Sequence, residues 1–332
     1  MSYPDTTLPT RRTAWGVALA LTAALLGGQA WAQGATTVRM LVGFPPGGGT
    51  DAIARVLADK LKEPLGGASV IVENKAGAGG QIAAQTLKTA PADGSVVFLS
   101  HDHTISILPL VMKNPGYDPA HDFVPVAGIA TFVNAFAVSA GTPAKSFNDY
   151  VTWAKGKDGG KGSVGVPAPA SVPEFLVKVI GQKYGLDLQA APYRGSAPMM
   201  ADMMGNQIAA GVASIPDFIE QHKGGKLRVV AVLGDARQPA MPDVPTFAEL
   251  GLAGFEDVPY YGIFAPAGTP KAQIERLAQA LAKVVAMPDV RERLTAMGLS
   301  VQFMTAQQLT ERERAYSQTW ARIIKASGFQ AQ

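Results

Sequence analysis

The sequence predicts an α/β protein of two lobes, each a mainly parallel β-sheet flanked by helices. Three observations predict it. Apolar runs of strand length alternate with runs whose apolar residues fall on one helical face, the order that builds parallel sheets. Two successive strands each end in a glycine-rich turn that opens a helix. The same grammar returns in the middle of the chain, and 332 residues suit two domains.

The first strand, "TVRMLVGF" from Thr37, has no polar alternation and reads as buried. After "PPGGG", Thr50 fits a helix cap, and Ile53, Val56, Leu57 and Leu61 share one face. "ASVIVEN" reads as a second buried strand, "KAGAGG" (Lys75 to Gly80) as the second glycine turn, and Gln81 to Thr89 as a helix. The turn "PADG" and the strand "SVVFLS" complete a βαβαβ unit, which implies a parallel sheet. Both glycine turns then lie at the carboxyl ends of strands, where open α/β sheets bind ligands.

"NAFAVSA" and "GSVGV" read as strands of the second lobe, and Val172 to Tyr184 as a helix. In "APYRGSAPMMADMMGNQ" a strand ends, Ser196 caps a helix and Gly205 stops it. The methionines of that helix stand at helical spacing and read as core. "QIAAGVAS" is strand-like, Pro216 opens a short helix, and "KLRVVAVLG" is another strand. "RQPAMPDVPTFAELG" reads as a proline-rich surface loop with one helical turn. After the strand "YYGIFAP", Thr269 caps and Pro270 takes the first position of a helix with Ile274, Leu277, Leu281 and Val284 as its stripe. Thr305 and Gln308 have capping-box spacing before a last helix that ends near Gly328.

The composition, 47% hydrophobic and 17% charged, is globular. A net charge of +3 with scattered Lys and Arg offers no positive stripe for nucleic acid. The absence of cysteine removes thiol chemistry, disulfides and cysteine-based metal sites together. Residues 1–32 read as a secretory signal. Arg11 and Arg12 supply the positive region, Ala14 to Leu26 the apolar run, and Ala30 to Ala32 the A-x-A cleavage pattern. The run is too short to span a bilayer. The mature chain is expected to be exported and soluble, cut near Ala32.

Glycines between strand and helix let backbone N–H groups approach an anion. A nucleotide P-loop is excluded because "GGGTD" lacks the Lys-Ser/Thr pair. A Rossmann-like first lobe of an exported NAD(P)-dependent oxidoreductase is the alternative. Gly47, Gly49 and Ala52 fit G-x-G-x-x-A, and Glu73 stands where a ribose-binding acid belongs. Against it, Pro45 and Pro46 remove two N–H donors just before the glycines. The favoured reading is a carboxylate site, two donor-rich turns converging on one small acid, with each helix N-terminus adding roughly 0.3–1 kcal/mol. Asp51 either favours its own helix dipole while pointing away, or repels the anion.

"GFPPGGGTDAIAR", "VENKAGAGGQIAA", "PADGSVVFLS", "YDPAHDFVPVAGI", "PYRGSAPMMADMMGNQI", "KLRVVAV", "MPDVPTFAELG" and "YYGIFAPAGTP" occur in this order. The set resembles the substrate-binding receptors of tripartite tricarboxylate transporters, the Bug family, over essentially the whole mature chain. The resemblance implies a type II periplasmic binding protein, a "Venus flytrap" that is not an enzyme. It also implies the periplasm as the compartment, and a monomer without cofactor. Its first lobe would comprise residues 33–135 and 257–332, and its second 136–256. It implies that the ligand is a small carboxylate (a di- or tricarboxylate, an acidic amino acid or an aromatic acid) and that the partners are integral-membrane permease subunits or a sensor kinase.

Carried over, the family's two grip loops are Phe44 to Asp51, with Phe44, Pro45, Gly47, Gly48, Gly49, Thr50 and Asp51, and Asn74 to Gly80, with Ala76, Gly77, Ala78 and Gly79. The second lobe would contribute a helix start near Ala170 to Val172, with Ser171, and the "YRG" turn with Arg194 and Gly195. Departures stand out: "SHDHT" (Ser100 to Thr104) differs from the small polar run expected there, and three single positions differ as well. Ala76 replaces the usual proline, Ala170 the usual glycine, and Pro173 the usual histidine.

Other polar residues carry paired readings. His101 and His103 alternate on one strand face; they hold a metal only with a third ligand, and otherwise sit at the cleft or surface. Either histidine can donate to the ligand's distal end, and His103 is the one counted in the expected site. Arg194 pairs with a second carboxylate or with a structural acid. Asp217 meets an amino group or starts its helix. No serine stands in a nucleophile elbow.

Overall fold

A computed structural model describes residues 37–326 and 328–331. The leader expected over residues 1–32 lies outside the described residues. Among the described residues no helix is long and apolar enough to cross a membrane.

The strands are β1 (Val38–Val42), β2 (Val70–Asn74), β3 (Val96–His101), β4 (Phe123–Thr131), β5 (Asn134–Ser139), β6 (Lys161–Val166), β7 (Asp187–Pro192), β8 (Ala210–Ser214), β9 (Leu227–Val232), β10 (Tyr260–Pro266) and β11 (Ser300–Thr305). The main helices are α1 (Gly49–Leu61), α2 (Gln81–Lys88), α3 (Phe147–Gly156), α4 (Val172–Tyr184), α5 (Ser196–Met204), α6 (Ile215–Lys223), α7 (Lys271–Ala286), α8 (Pro288–Ala296) and α9 (Ala306–Ala326).

Among the described residues one sheet has the order β11-β4-β10-β3-β1-β2 and the other β7-β6-β8-β5-β9. Both follow one scheme. Two crossovers set three parallel strands with the earliest in the middle, β2-β1-β3 and β7-β6-β8. An antiparallel strand follows, β10 in one sheet and β5 in the other. A further strand, β4 or β9, then pairs antiparallel to that one. The α/β class and the two lobes are as the sequence predicts, but the sheets are mixed rather than mainly parallel. The chain passes from sheet to sheet at Phe132–Val133, between β4 and β5, and returns between Val232 and Tyr260.

Two strands escape the sequence patterns. "FVPVAGIAT" (β4) is interrupted by Pro125 and Gly128, which ordinarily argue against a strand interior. Here β11 pairs only from Ala127 to Thr131, so Pro125 faces no strand on that side. "SVQFMT" (β11) is a polar edge strand. "ASVIVEN" has the pattern of a buried strand, yet β2 is an edge whose Ile71 is 54% exposed. An apolar run looks alike whether one or both of its sides are paired.

The helix stripes dock as expected. Ile53, Leu57 and Leu61 of α1 and Leu277, Leu281 and Val284 of α7 share one core with Met40 and Val42 of β1. Met199, Met200 and Met203 of α5 are buried in the second lobe. Thr305 and Gln308 form the reciprocal cap, Thr305 N–H to Oε1 at 2.9 Å and Gln308 N–H to Oγ1 at 3.3 Å. Thr269 does not cap α7; its hydroxyl donates to the Pro266 carbonyl, and Pro270 stands at the cap position in extended conformation.

Candidate functional site

β1 delivers the chain into Phe44, Pro45, Pro46 and Gly47, and α1 starts at Gly49 with Gly48 as its cap residue. Thr50 is therefore not the cap. It lies in the first turn, with its hydroxyl 3.4 Å from the hydroxyl of Tyr261. Asp51 turns back behind the loop, so the first of its two readings holds. Its carboxylate accepts from Gly47 N–H at 3.0 Å, Arg55 Nε at 3.0 Å and Nη2 at 2.9 Å, and Asn74 Nδ2 at 2.9 Å. Burial pushes its pKa up, but those donors together hold it below the usual value.

The first glycine turn thus spends two of its donors on the protein's own acids, and Gly48 N–H has no partner among the described residues. Gly47 N–H serves Asp51, and Gly49 N–H donates to Oδ1 of Asp217 at 2.8 Å. Asp217 comes from the start of α6, against the other sheet. Ser196 Oγ donates to Oδ1 at 2.5 Å, and Ser214 Oγ to Oδ2 at 2.6 Å. Ser196 is a prop for Asp217, not the cap of α5, where Gly195 holds the cap position.

The second turn is different. Gly77 (φ 142°), Ala78 (φ 47°), Gly79 (φ 65°) and Gly80 (φ 94°) run through left-handed conformations. Among the described residues the amides of Gly77, Ala78 and Gly79 donate to no group. The turn is pinned from beneath by Thr104, whose hydroxyl donates to the Gly79 carbonyl at 2.8 Å. Ala78 is strained in this region, a cost that tends to persist where a loop serves binding. A groove opens on these amides, shared with Phe44, Arg194 and Gly195. The Arg194 side chain has no ion pair or hydrogen bond among the described residues. Gly195 (φ 108°) presses on the first loop: a Cβ there would stand 2.5 Å from Cδ of Pro45. Only glycine permits that approach.

Phe44 and Pro167 line both the groove and a small cavity between the two sheets, whose internal space is about 50 Å3. Of the expected residues, Phe44, Gly48, Thr50, His103, Ser171 and Asp217 line this cavity, and Gly77, Ala78, Gly79, Arg194 and Gly195 line the groove. Pro45, Gly47, Gly49, Asp51 and Ala76 line neither. Ser171 holds the cap position of α4, but its hydroxyl donates to the Ala168 carbonyl at 2.7 Å.

His101 and His103 do not share a strand face. β3 ends at His101, and His103 begins a π-helical turn that runs to Ile107. The imidazole of His101 stacks on Phe44, with ring centroids 4.9 Å apart. His103 is buried, with neither ring nitrogen hydrogen-bonded. Desolvation, helped by His101, lowers its pKa to about 4, so it is neutral at pH 7. Asp102 between them is buried and accepts from the Tyr316 hydroxyl at 2.9 Å.

Tyr261, Asn134 and Ser214 also line the cavity and carry no signal in the sequence as site residues. Tyr261 reads as one more apolar strand residue, and Asn134 as the start of β5. Strand-end position, with Tyr261 near the start of β10, Asn134 at the start of β5 and Ser214 at the end of β8, is the one clue to them.

The sequence matches, over residues 53–329, the family described as the tripartite tricarboxylate transporter family receptor. The chain belongs to that receptor family. Solved structures agree. The structure of periplasmic binding protein BugD is 30% identical, covers 89% of this chain and 99% of its own, and superposes with a TM-score of 0.84. A protein of R. palustris, solved with adipate, is 29% identical over 90% of this chain and 98% of its own, with a TM-score of 0.83. MatC from Rhodopseudomonas palustris, with bound malate, is 26% identical over 87% and 98%, with a TM-score of 0.79. Receptors of this family are periplasmic solute-binding proteins, not enzymes, and the oxidoreductase alternative falls with that.

Proposed function

We propose that this receptor captures a small organic carboxylate between its lobes, the acid lying in the groove against the free amides of Gly77, Ala78 and Gly79, with Arg194 facing it. The observation that carries the reading is the set of unsatisfied N–H donors on that strained turn. A carboxylate accepts several such donors at once, and charge-assisted bonds are about twice as strong as neutral ones. The adipate and malate of the two R. palustris proteins support the ligand class. The first glycine turn contributes shape and the Gly48 backbone rather than a full second cradle.

The first lobe is taken as residues 33–135 with 257–332 and the second as 136–256, although the chain crosses between sheets at Phe132–Val133, so that Asn134 and Ala135 of β5 already pair within the second sheet. The chain reaches the periplasm by its leader, is cut near Ala32, and works as a monomer. Ligand closes the lobes only through its greater affinity for the closed form. The loaded form then docks on integral-membrane permease subunits of the tripartite type, with a sensor kinase as the other candidate partner.

A thermal-shift screen of small acids against their full amides tests the ligand class. Acid at 100 times its Kd stabilises by about 2.7 kcal/mol. Acids should raise the melting temperature and the amides should not. Equal shifts for both would refute a carboxylate site.

A further inference from the structure

The two ends of the interlobe space carry opposite electrostatics. The groove has Arg194 and free amides. Among the described residues the cavity beyond Phe44 has no Lys or Arg in its lining, and instead two carboxylates, Asp217 and Asp102. Asp217 is fixed in place by the Gly49 amide at 2.8 Å and by Ser196 and Ser214 at 2.5 and 2.6 Å. It occupies the anion-favouring start of α1 that a ligand's acid would otherwise use. Asp102 is held by Tyr316 and His101. Among the described lining residues, the buried side chains with unmet hydrogen-bonding capacity include the uncharged Asn134 amide and His103, whose two ring nitrogens have no partner. Nothing in this lining neutralises a second ligand carboxylate, and Asp217 repels one.

We propose that Asp217 is a specificity-determining residue that restricts this receptor to ligands with a single carboxylate. The inference rests on the carboxylate reading of the groove and deepens it. The ligand's acid lies at the groove end, and its body passes over Phe44. Its far end is an uncharged or protonated hydrogen-bond donor, such as an amide, hydroxyl or ammonium, directed at Asp217. The neutral His103 accepts or donates beside it without adding charge. Asp217 thereby acts as the acid that a dicarboxylate would have brought with it.

Matched chains test this by calorimetry at neutral pH: a diacid, its half-amide and the corresponding ω-amino acid, as in adipate, adipamate and 6-aminohexanoate, in a series from four to eight carbons. The half-amide or amino acid should bind at least tenfold more tightly than the diacid of the same length. In Asp217→Asn, which keeps the shape and removes the charge, that preference should shrink by at least tenfold. Glu275→Gln, which removes an acidic charge from the exposed face of α7, should retain it. A wild-type preference for diacids, or a preference unchanged in Asp217→Asn, would overturn the inference while leaving the carboxylate site standing. No binding by any acid of the series would instead overturn the carboxylate site itself, and this inference with it.

Discussion

The imidazole of His103 fills the space beside Gly79: a Cβ on Gly79 would stand 2.5 Å from Nε2 and 3.0 Å from Cδ2. The second glycine turn and the π-helical turn after β3 are thus packed ring against backbone. The free amides above and the neutral imidazole beside them form one rigid unit, which explains how a strained turn keeps its donors aimed.

Gly79→Ala should therefore disturb both parts. The left-handed backbone (φ 65°) costs a side chain about 1–2 kcal/mol, and overpacking against the ring adds about 1–3 kcal/mol. Urea unfolding should show the sum. Gly79→Ala with His103→Ala should recover the packing part and leave the backbone part. Wild-type stability in the single variant would show that the turn is not held as described.

His103 sets an acid limit on stability. Its folded pKa, about 4, lies below the ordinary histidine value of 6.5, so between these the unfolded chain binds the extra proton. Stability is complete above pH 6.5 and is lost as pH falls towards 4, by about 3 kcal/mol from this group. His103→Gln lacks that proton. Melting temperatures from pH 7 to 4 should fall more steeply for the wild type than for the variant, and parallel curves would count against a buried neutral ring.

Arg194 faces the groove without a protein partner among the described residues, so Arg194→Gln should leave the ligand-free melting temperature unchanged. Affinity for a bound acid should drop about tenfold, the effect of one partly exposed charge-assisted contact. A large loss of stability without ligand would mark the arginine as structural.

Asp51 works behind the first loop. Asp51→Ala removes the acceptor for Gly47, Arg55 and Asn74 and should cost about 1–3 kcal/mol in urea unfolding. Because its carboxyl titrates below the usual value, the contribution is present at neutral pH and vanishes as pH falls through its folded pKa. The variant and the wild type should converge in strong acid.

Much of the fold is legible in the sequence because periodicity reports burial directly. The stripes of α1 and α7, the βαβαβ opening and the Thr305–Gln308 cap all follow from short-range patterns. β4 and β11 do not, since Pro125, Gly128 and a polar edge pattern conceal strands that exist only because neighbours pair with them. Thr50, Ser196 and Thr269 each resemble caps in sequence, yet each hydroxyl sits beside or bonds another group supplied by the fold.

The sequence by itself determined the α/β class, the receptor resemblance and the two glycine turns, because strand, turn and helix preferences act over short spans of chain. Only the tertiary structure decided which amides of the two turns stay free. Gly49 and Asp217 are 168 residues apart, and their hydrogen bond depends on α1 and α6 meeting across two sheets. Local preference cannot see such a pair; packing alone brings an acid from one lobe onto the amide of the other.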